Sequence, residues 1–234
     1  MCFSVQVDID LKKLSQLYKA DINEKAFDHF KSASQKDPKA YKYVEDDGRI
    51  FTKIWSPIII FHKGKREIRP MRYQLLPHFC ETSKYTRINP KTQRKVEVKN
   101  TYNARMESLL SGKAWQKPFG NYHAILPTLS FYEWVESENG KEVLQFTPKT
   151  NEHMNIACLY DNWFGNDGEI IQSFAIITRE PEPEVLAAGH DRTPVNLSQS
   201  VIDQWLKADM NSPQEHLELL NNPYRPFYQH QPAV

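Results

Sequence analysis

No stretch of this chain is apolar enough to cross a bilayer. The longest candidate, Ile58-Ile59-Ile60-Phe61, falls far short of the roughly 20 residues a spanning helix needs and reads as a buried strand. The N-terminus has no basic segment followed by an apolar one, so no secretory signal is expected and the cytoplasm is the expected compartment. Cysteine is scarce: Cys2, Cys80 and Cys158 are an odd number with no CxxC spacing. That excludes a disulfide framework and a cysteine zinc site, and reads as reduced thiols. The eight histidines are scattered without an HExxH pair, so no metal is expected. No GxGxxG or P-loop run occurs, so no nucleotide cofactor is expected either.

Net charge is also nearly absent, +1 over 234 residues, but its distribution is lopsided. Lys53 to Arg105 holds 13 Lys or Arg against 3 acidic residues, a local +10, while the remainder carries 17 basic and 26 acidic residues. Such asymmetry fits a face turned to a polyanion; a solvated basic loop around Lys91-Thr92-Gln93-Arg94-Lys95 fits it equally.

What is present is a mixed α+β pattern with a mainly antiparallel core in one domain, residues 2–234. Strands are expected near Ile50–Trp55, Ile58–Phe61, Ile68–Leu75, Phe131–Ser137, Glu142–Phe146, His153–Tyr160 and Ile171–Thr178. Asn139-Gly140 signals a hairpin turn. Asp21 caps an expected helix to Lys31, and Thr101–Leu110 opens another whose first turn holds Asn103. Val201, Trp205 and Leu206 share a helical face behind Ser198 or Ser200, and Ser212-Pro213-Gln214-Glu215 is a capping box. Lys84–Lys99 reads as a basic insertion loop, and residues 221–234 as an extended tail.

The second residue is chemically distinctive. Once Met1 is trimmed, Cys2 offers an α-amine and a thiol with ordinary pKa values of about 7.7–8.0 and 8.5. An amine condenses with an aldehyde to an imine, and the adjacent thiol closes a thiazolidine; an incidental cysteine at a frayed terminus is the bland alternative. Three further patterns accompany it: Tyr102-Asn103-Ala104-Arg105-Met106-Glu107, Leu126-Pro127-Thr128-Leu129-Ser130-Phe131-Tyr132-Glu133-Trp134 and Gly189-His190-Asp191-Arg192-Thr193-Pro194. In order and content the four resemble the SOS-response-associated peptidase (SRAP) family, whose members shield abasic sites in single-stranded DNA. The family patterns run approximately Met-Cys-Gly-Arg, Asn-Ala-Arg-Ser-Glu, Gly-Phe-Tyr-Glu-Trp and His-Asp-Arg-Met-Pro, and the resemblance spans Cys2 to about Trp205.

The resemblance implies a barrel-like β core flanked by short helices, and a covalent DNA–protein crosslink through Cys2. Its partner would be abasic single-stranded DNA, with the protein acting as a monomer at the nucleoid during DNA damage. It makes Cys2, Asn103, Glu133 and His190 the catalytic set. Glu133 becomes the proton shuttle; on its residues alone it is either an acid on the apolar face of Phe131 and Val135, where burial favours protonation, or a surface acid. His190 becomes the acid–base group that opens the sugar, although a His beside Asp191 is also an ordinary structural pair. Asn103 orients the Cys2 amine or simply caps a helix. Arg72, Tyr73, Arg105, Thr178 and Arg192 become DNA contacts, the arginines through phosphate and Tyr73 through stacking or wedging. Departures are Phe3-Ser4 for Gly-Arg, Met106 for serine, Ser130 for glycine and Tyr73 for tryptophan. The Lys84–Lys99 segment is expected to compensate for the missing arginine. Two other readings stand beside this one: an N-terminal cysteine autopeptidase or thiol hydrolase with Glu133 or His190 as base, and a single-strand-binding module that does not crosslink.

Overall fold

The computed structural model describes residues 4–137, 140–150, 152–166, 168–208 and 212–233. In chain order it holds β1 (Ser4–Val7), α1 (Leu11–Tyr18), β2 (Asp21–Ile22), α2 (Glu24–Lys36), β3 (Arg49–Ile50), β4 (Trp55–His62) and β5 (Lys65–Tyr73). The short strands β6 (Thr86–Ile88), β7 (Lys95–Glu97) and β8 (Asn103–Arg105) follow, then a 3-10 turn at Met106–Ser108. The long strands are β9 (His123–Ser137), β10 (Gly140–Pro148), β11 (Met154–Phe164) and β12 (Ile170–Arg179). After these come α3 (Pro183–Ala187), β13 (Thr193–Pro194), β14 (Asn196–Leu197), α4 (Ile202–Leu206), α5 (Pro213–Asn221) and β15 (Tyr228–Pro232).

Five strands close into a barrel: β9 pairs with β4, β4 with β5, β5 with β12, β12 with β11, and β11 again with β9. All of these pairings are antiparallel except β5–β12. Period-two alternation sorts each strand's side chains between two cores. Ile58, Ile60, Met71, Ala124, Leu126, Ile156, Cys158, Phe174 and Ile176 fill one. Ile59, Ile125, Ala157, Leu159, Ala175 and Ile177 turn the other way, under Leu14, Tyr18, Trp205 and Leu220 of the helices, which marks that side as the outside of the barrel. The second half of β9 runs on past the barrel, flanked by β1 and β10. The hairpin expected around Asn139-Gly140 is formed by β9 and β10, while Glu138 and Asn139 lie outside the described residues. The tail is extended: β15 adds to β10, and Tyr228 stands edge-on to Phe131 at 5.1 Å.

Three expectations are corrected. The helix expected behind Asp21 begins at Glu24, because Asn23 is the cap: its Oδ1 accepts from Ala26 N at 3.0 Å while its Nδ2 donates to Glu67. Asp21 instead pairs in β2 and meets Lys65 at 2.7 Å. Asn103 is in a strand, since β12 offers it an edge: Asn103–Arg105 runs parallel to Ile176–Thr178. Lys84–Lys99 is not a loop but carries the antiparallel ribbon β6–β7, separate from the main sheet. The capping box at Ser212 and Glu215 is present as expected.

Trp205 anchors α4. It is fully enclosed, stacks on His123 at 3.7 Å and donates from Nε1 to Ala124 O at 2.9 Å. Trp205→Ala removes that volume and strands a buried carbonyl, so urea or thermal unfolding should show a loss of about 3–5 kcal/mol.

Candidate active site

Beyond the barrel, β9 carries Phe131, Glu133 and Val135 on one buried face, 0, 1 and 4 % exposed, while Trp134 between them is 46 % exposed. An acid therefore sits among core side chains. A carboxylate there is costly unless partnered, and the partner comes from the far end of the chain. The loop after α3 turns back through Gly189, whose left-handed φ of 95° disfavours a side chain, and packs over Val135. That turn delivers His190, whose Nε2 lies 3.1 Å from Glu133 Oε2.

The other ring nitrogen, Nδ1, faces both the N–H of Arg192 at 3.2 Å and its carbonyl at 3.0 Å. Nδ1 accepts from the Arg192 N–H in one tautomer and donates to the Arg192 carbonyl in the other. The approach of Nε2 to Glu133 Oε2 is a close polar contact, not an aligned hydrogen bond. Burial lowers the His190 pKa, in keeping with a neutral ring at pH 7. Such a pair can release one proton and take it back, the requirement for general acid–base work.

The loop is held in place by Arg192. Its guanidinium donates to both carboxylate oxygens of Glu107 at 2.9 Å each, and to Thr178 O at 2.7 Å. Glu107 follows β8 directly, so this clasp ties the His190 loop to the strand that carries Asn103. Both are fixed at the same end of β12, where β8 and β13 pair around Thr178. Asn103 is buried there, 4 % exposed. On the other side of Glu133, β1 runs beside β9 with Ser4 opposite Tyr132, one residue short of the acid.

The family model for SOS response associated peptidase (SRAP) matches residues 1–232. The chain belongs to that family. Among its relatives is the abasic site processing protein YobE of Bacillus subtilis, 32 % identical over 123 residues, which is 52 % of this chain and 55 % of YobE. The abasic site processing protein YMR114C of Saccharomyces cerevisiae is 26 % identical over 70 % of this chain and 42 % of its own length. This SRAP chain thus spans about half the length of the curated relatives it matches. A crystal structure of a protein from Bacteroides thetaiotaomicron shares the fold with a TM-score of 0.76 at 19 % identity, covering 100 % of this chain and 92 % of that one. Another from Bordetella bronchiseptica gives 0.71 at 17 %, covering both chains fully at 100 %.

Cys2 and Phe3 lie outside the described residues. Of the expected DNA contacts in this SRAP chain, Arg105 is exposed beside Asn103. Tyr73 and Thr178 are not surface residues: both are 0 % exposed. The Tyr73 ring is stacked on Phe174 at 5.3 Å, which occupies the face a base would need, and Thr178 serves instead to hold Arg192. Arg192 is 6 % exposed and committed to Glu107. Arg72 lies away from the Glu133–His190 pair, under the base of the β6–β7 ribbon with Lys84 and Tyr85. At Ser4, where the family pattern has arginine, Arg49 donates from Nε to the Ser4 hydroxyl at 3.2 Å and lies 3.9 Å over the Tyr132 ring. Sequence reading gave no role to Glu107 or Arg49; Glu107 stood inside a quoted motif, but nothing local signals its pairing with a residue 85 positions away.

Burial alone would raise the Glu107 pKa, but the Arg192 hydrogen bonds outweigh it and hold the carboxyl below the ordinary glutamate value. A depressed folded-state pKa means stabilisation that is present above the unfolded value and lost as pH falls through the folded one. Glu107→Gln should therefore cost roughly 1–2 kcal/mol at neutral pH, less than for a fully buried pair because Glu107 is 56 % exposed. Denaturant titrations should show the deficit shrinking below the carboxylate range.

Proposed function

We propose that this SRAP chain is an abasic-site sensor that captures the lesion in single-stranded DNA through Cys2. The names of its relatives place the family's work at abasic sites, and the observation that carries the reading here is the buried Glu133–His190 pair beside the N-terminal strand. Cys2 precedes Ser4 by two residues, a tether of about 7 Å at most, and Ser4 is paired next to Glu133. That tether length supports a reading in which Cys2 acts near the acid.

In this reading the pair supplies and recovers protons at two points. It protonates the ring oxygen as the sugar opens to its aldehyde. It then assists loss of water as the Cys2 amine condenses at C1′. The thiol adds to the imine carbon and closes the thiazolidine, which protects the strand from elimination. Asn103, at the same end of β12, orients the amine without adding charge, and Arg105 offers an exposed guanidinium to a phosphate. Arg192 acts indirectly, by fixing the His190 loop through Glu107.

Incubation with an abasic and an intact oligonucleotide, followed by a denaturing gel, tests this. Wild type should give a heat-stable shift with the abasic strand alone. Cys2→Ser should abolish the shift and increase strand nicking, because an imine without thiol closure promotes elimination. Glu133→Gln should slow adduct formation by roughly 10²–10⁴-fold. The rate should fall on the acid side only below the ordinary imidazole pKa, since burial lowers that of His190. A shift that survives Cys2→Ser, or forms equally on intact DNA, contradicts the proposal.

A further inference from the structure

We infer that the β6–β7 ribbon and the groove beneath it form a second subsite for single-stranded DNA, distinct from the Glu133–His190 site. The inference rests on the proposed function only for the kind of nucleic acid the groove takes. A groove of about 460 Å³ runs under the ribbon, lined by Phe79, Lys84, Tyr85, Arg87, Lys95 and Lys113 with the single acid Glu81. Glu81 is already met by Lys95, 3.5 Å away, and the other ribbon acid, Glu97, by Lys53 at 3.4 Å. Among the described residues Lys84, Arg87 and Lys113 make no ion pair, and they line one channel.

Two features separate this groove from a solvated basic turn. It is tied to the body by contacts from outside itself: Gln74 Nε2 donates to Lys99 O at 3.0 Å, and Lys53 meets Glu97 at 3.4 Å. It also mixes apolar faces with the charge. Ile88 in its lining is 56 % exposed, and Phe79 meets Tyr85 edge-on at 5.6 Å with the Lys113 ammonium 4.5 Å over its ring. Cations beside an exposed isoleucine and half-buried aromatics suit a strand whose bases are unpaired, because a duplex hides its base faces. The ribbon then returns through Lys99 into the segment that carries Asn103.

The test measures equilibrium binding of an intact single-stranded oligonucleotide by fluorescence anisotropy across a salt series, a readout that needs no crosslinking. The ribbon variant is Lys84→Glu/Arg87→Glu/Lys95→Glu. The control, Lys25→Glu/Lys36→Glu/Lys39→Glu, makes the same charge change on and after α2. The ribbon variant should lower the slope of log K against log salt by about 2 and weaken binding roughly 100-fold near 0.1 M salt. The control should leave the slope unchanged. With saturating abasic DNA the ribbon variant should still reach the wild-type adduct yield, and Cys2→Ser should bind intact DNA as wild type does. Loss of the adduct in wild type would sink the crosslinking reading while leaving the groove standing. A wild-type slope in the ribbon variant, or an equal loss in the control, would overturn the groove.

Discussion

A carboxylate cannot be held inside a protein core without a partner, and in this chain the partner of Glu133 is His190. The 3.1 Å contact between them joins a strand in the middle of the sequence to a loop near its end. Everything around it serves to keep that contact in register. Gly189 allows the turn that aims the ring, Arg192 offers both a donor and an acceptor to Nδ1, and Glu107 fixes Arg192 from the 3-10 turn after β8. The clasp is bidentate and nearly buried on the arginine side, so it sets geometry as well as contributing energy. The Nδ1 contacts with Arg192 fix the imidazole beside the acid, with Nε2 3.1 Å from its carboxylate.

The barrel supplies the rigidity that such a pair needs. Because β9 is longer than the barrel, its first half is locked between β4 and β11 while its second half projects Glu133 toward β1 and β10. β12 similarly contributes to the wall along most of its length and gives its last residues to β8 and β13. The site is therefore built on the overhanging ends of strands whose other ends are core. Arg49 beside Ser4 shows local substitution within this frame: a guanidinium from β3 stands next to the position where the family pattern carries arginine. The chemistry assigned to the N-terminus draws on the same frame, since β1 leads the chain to the edge of Glu133.

Much of this was legible in the residues. The alternation of Phe131, Glu133 and Val135 put the three on one face without deciding whether that face is buried, the Asn-Gly pair marked the β9–β10 hairpin, and Ser212 with Glu215 marked a cap; each signal is local. What was hidden is non-local. Asn103 joins a strand because β12 lies beside it, and no feature of Thr101–Leu110 discloses that edge. Tyr73 looked available for stacking because the sequence does not show Phe174 against its ring. Arg192 read as a phosphate ligand for the same reason: its carboxylate partner arrives from a distant segment. Helix α1 is a different case: it was not among the expected elements, although its cap Asp10 and its buried Leu14 and Tyr18 are a local signal.

The account turns on which atoms of the protein join the DNA. Peptide mapping by mass spectrometry of the isolated protein–DNA adduct answers that directly. The predicted result is a single modified peptide that begins at Cys2, lacks Met1, and carries the opened sugar with one water lost. An adduct mapped to a lysine of the ribbon or to Cys80, or a terminus that retains Met1 in the adduct, would contradict it.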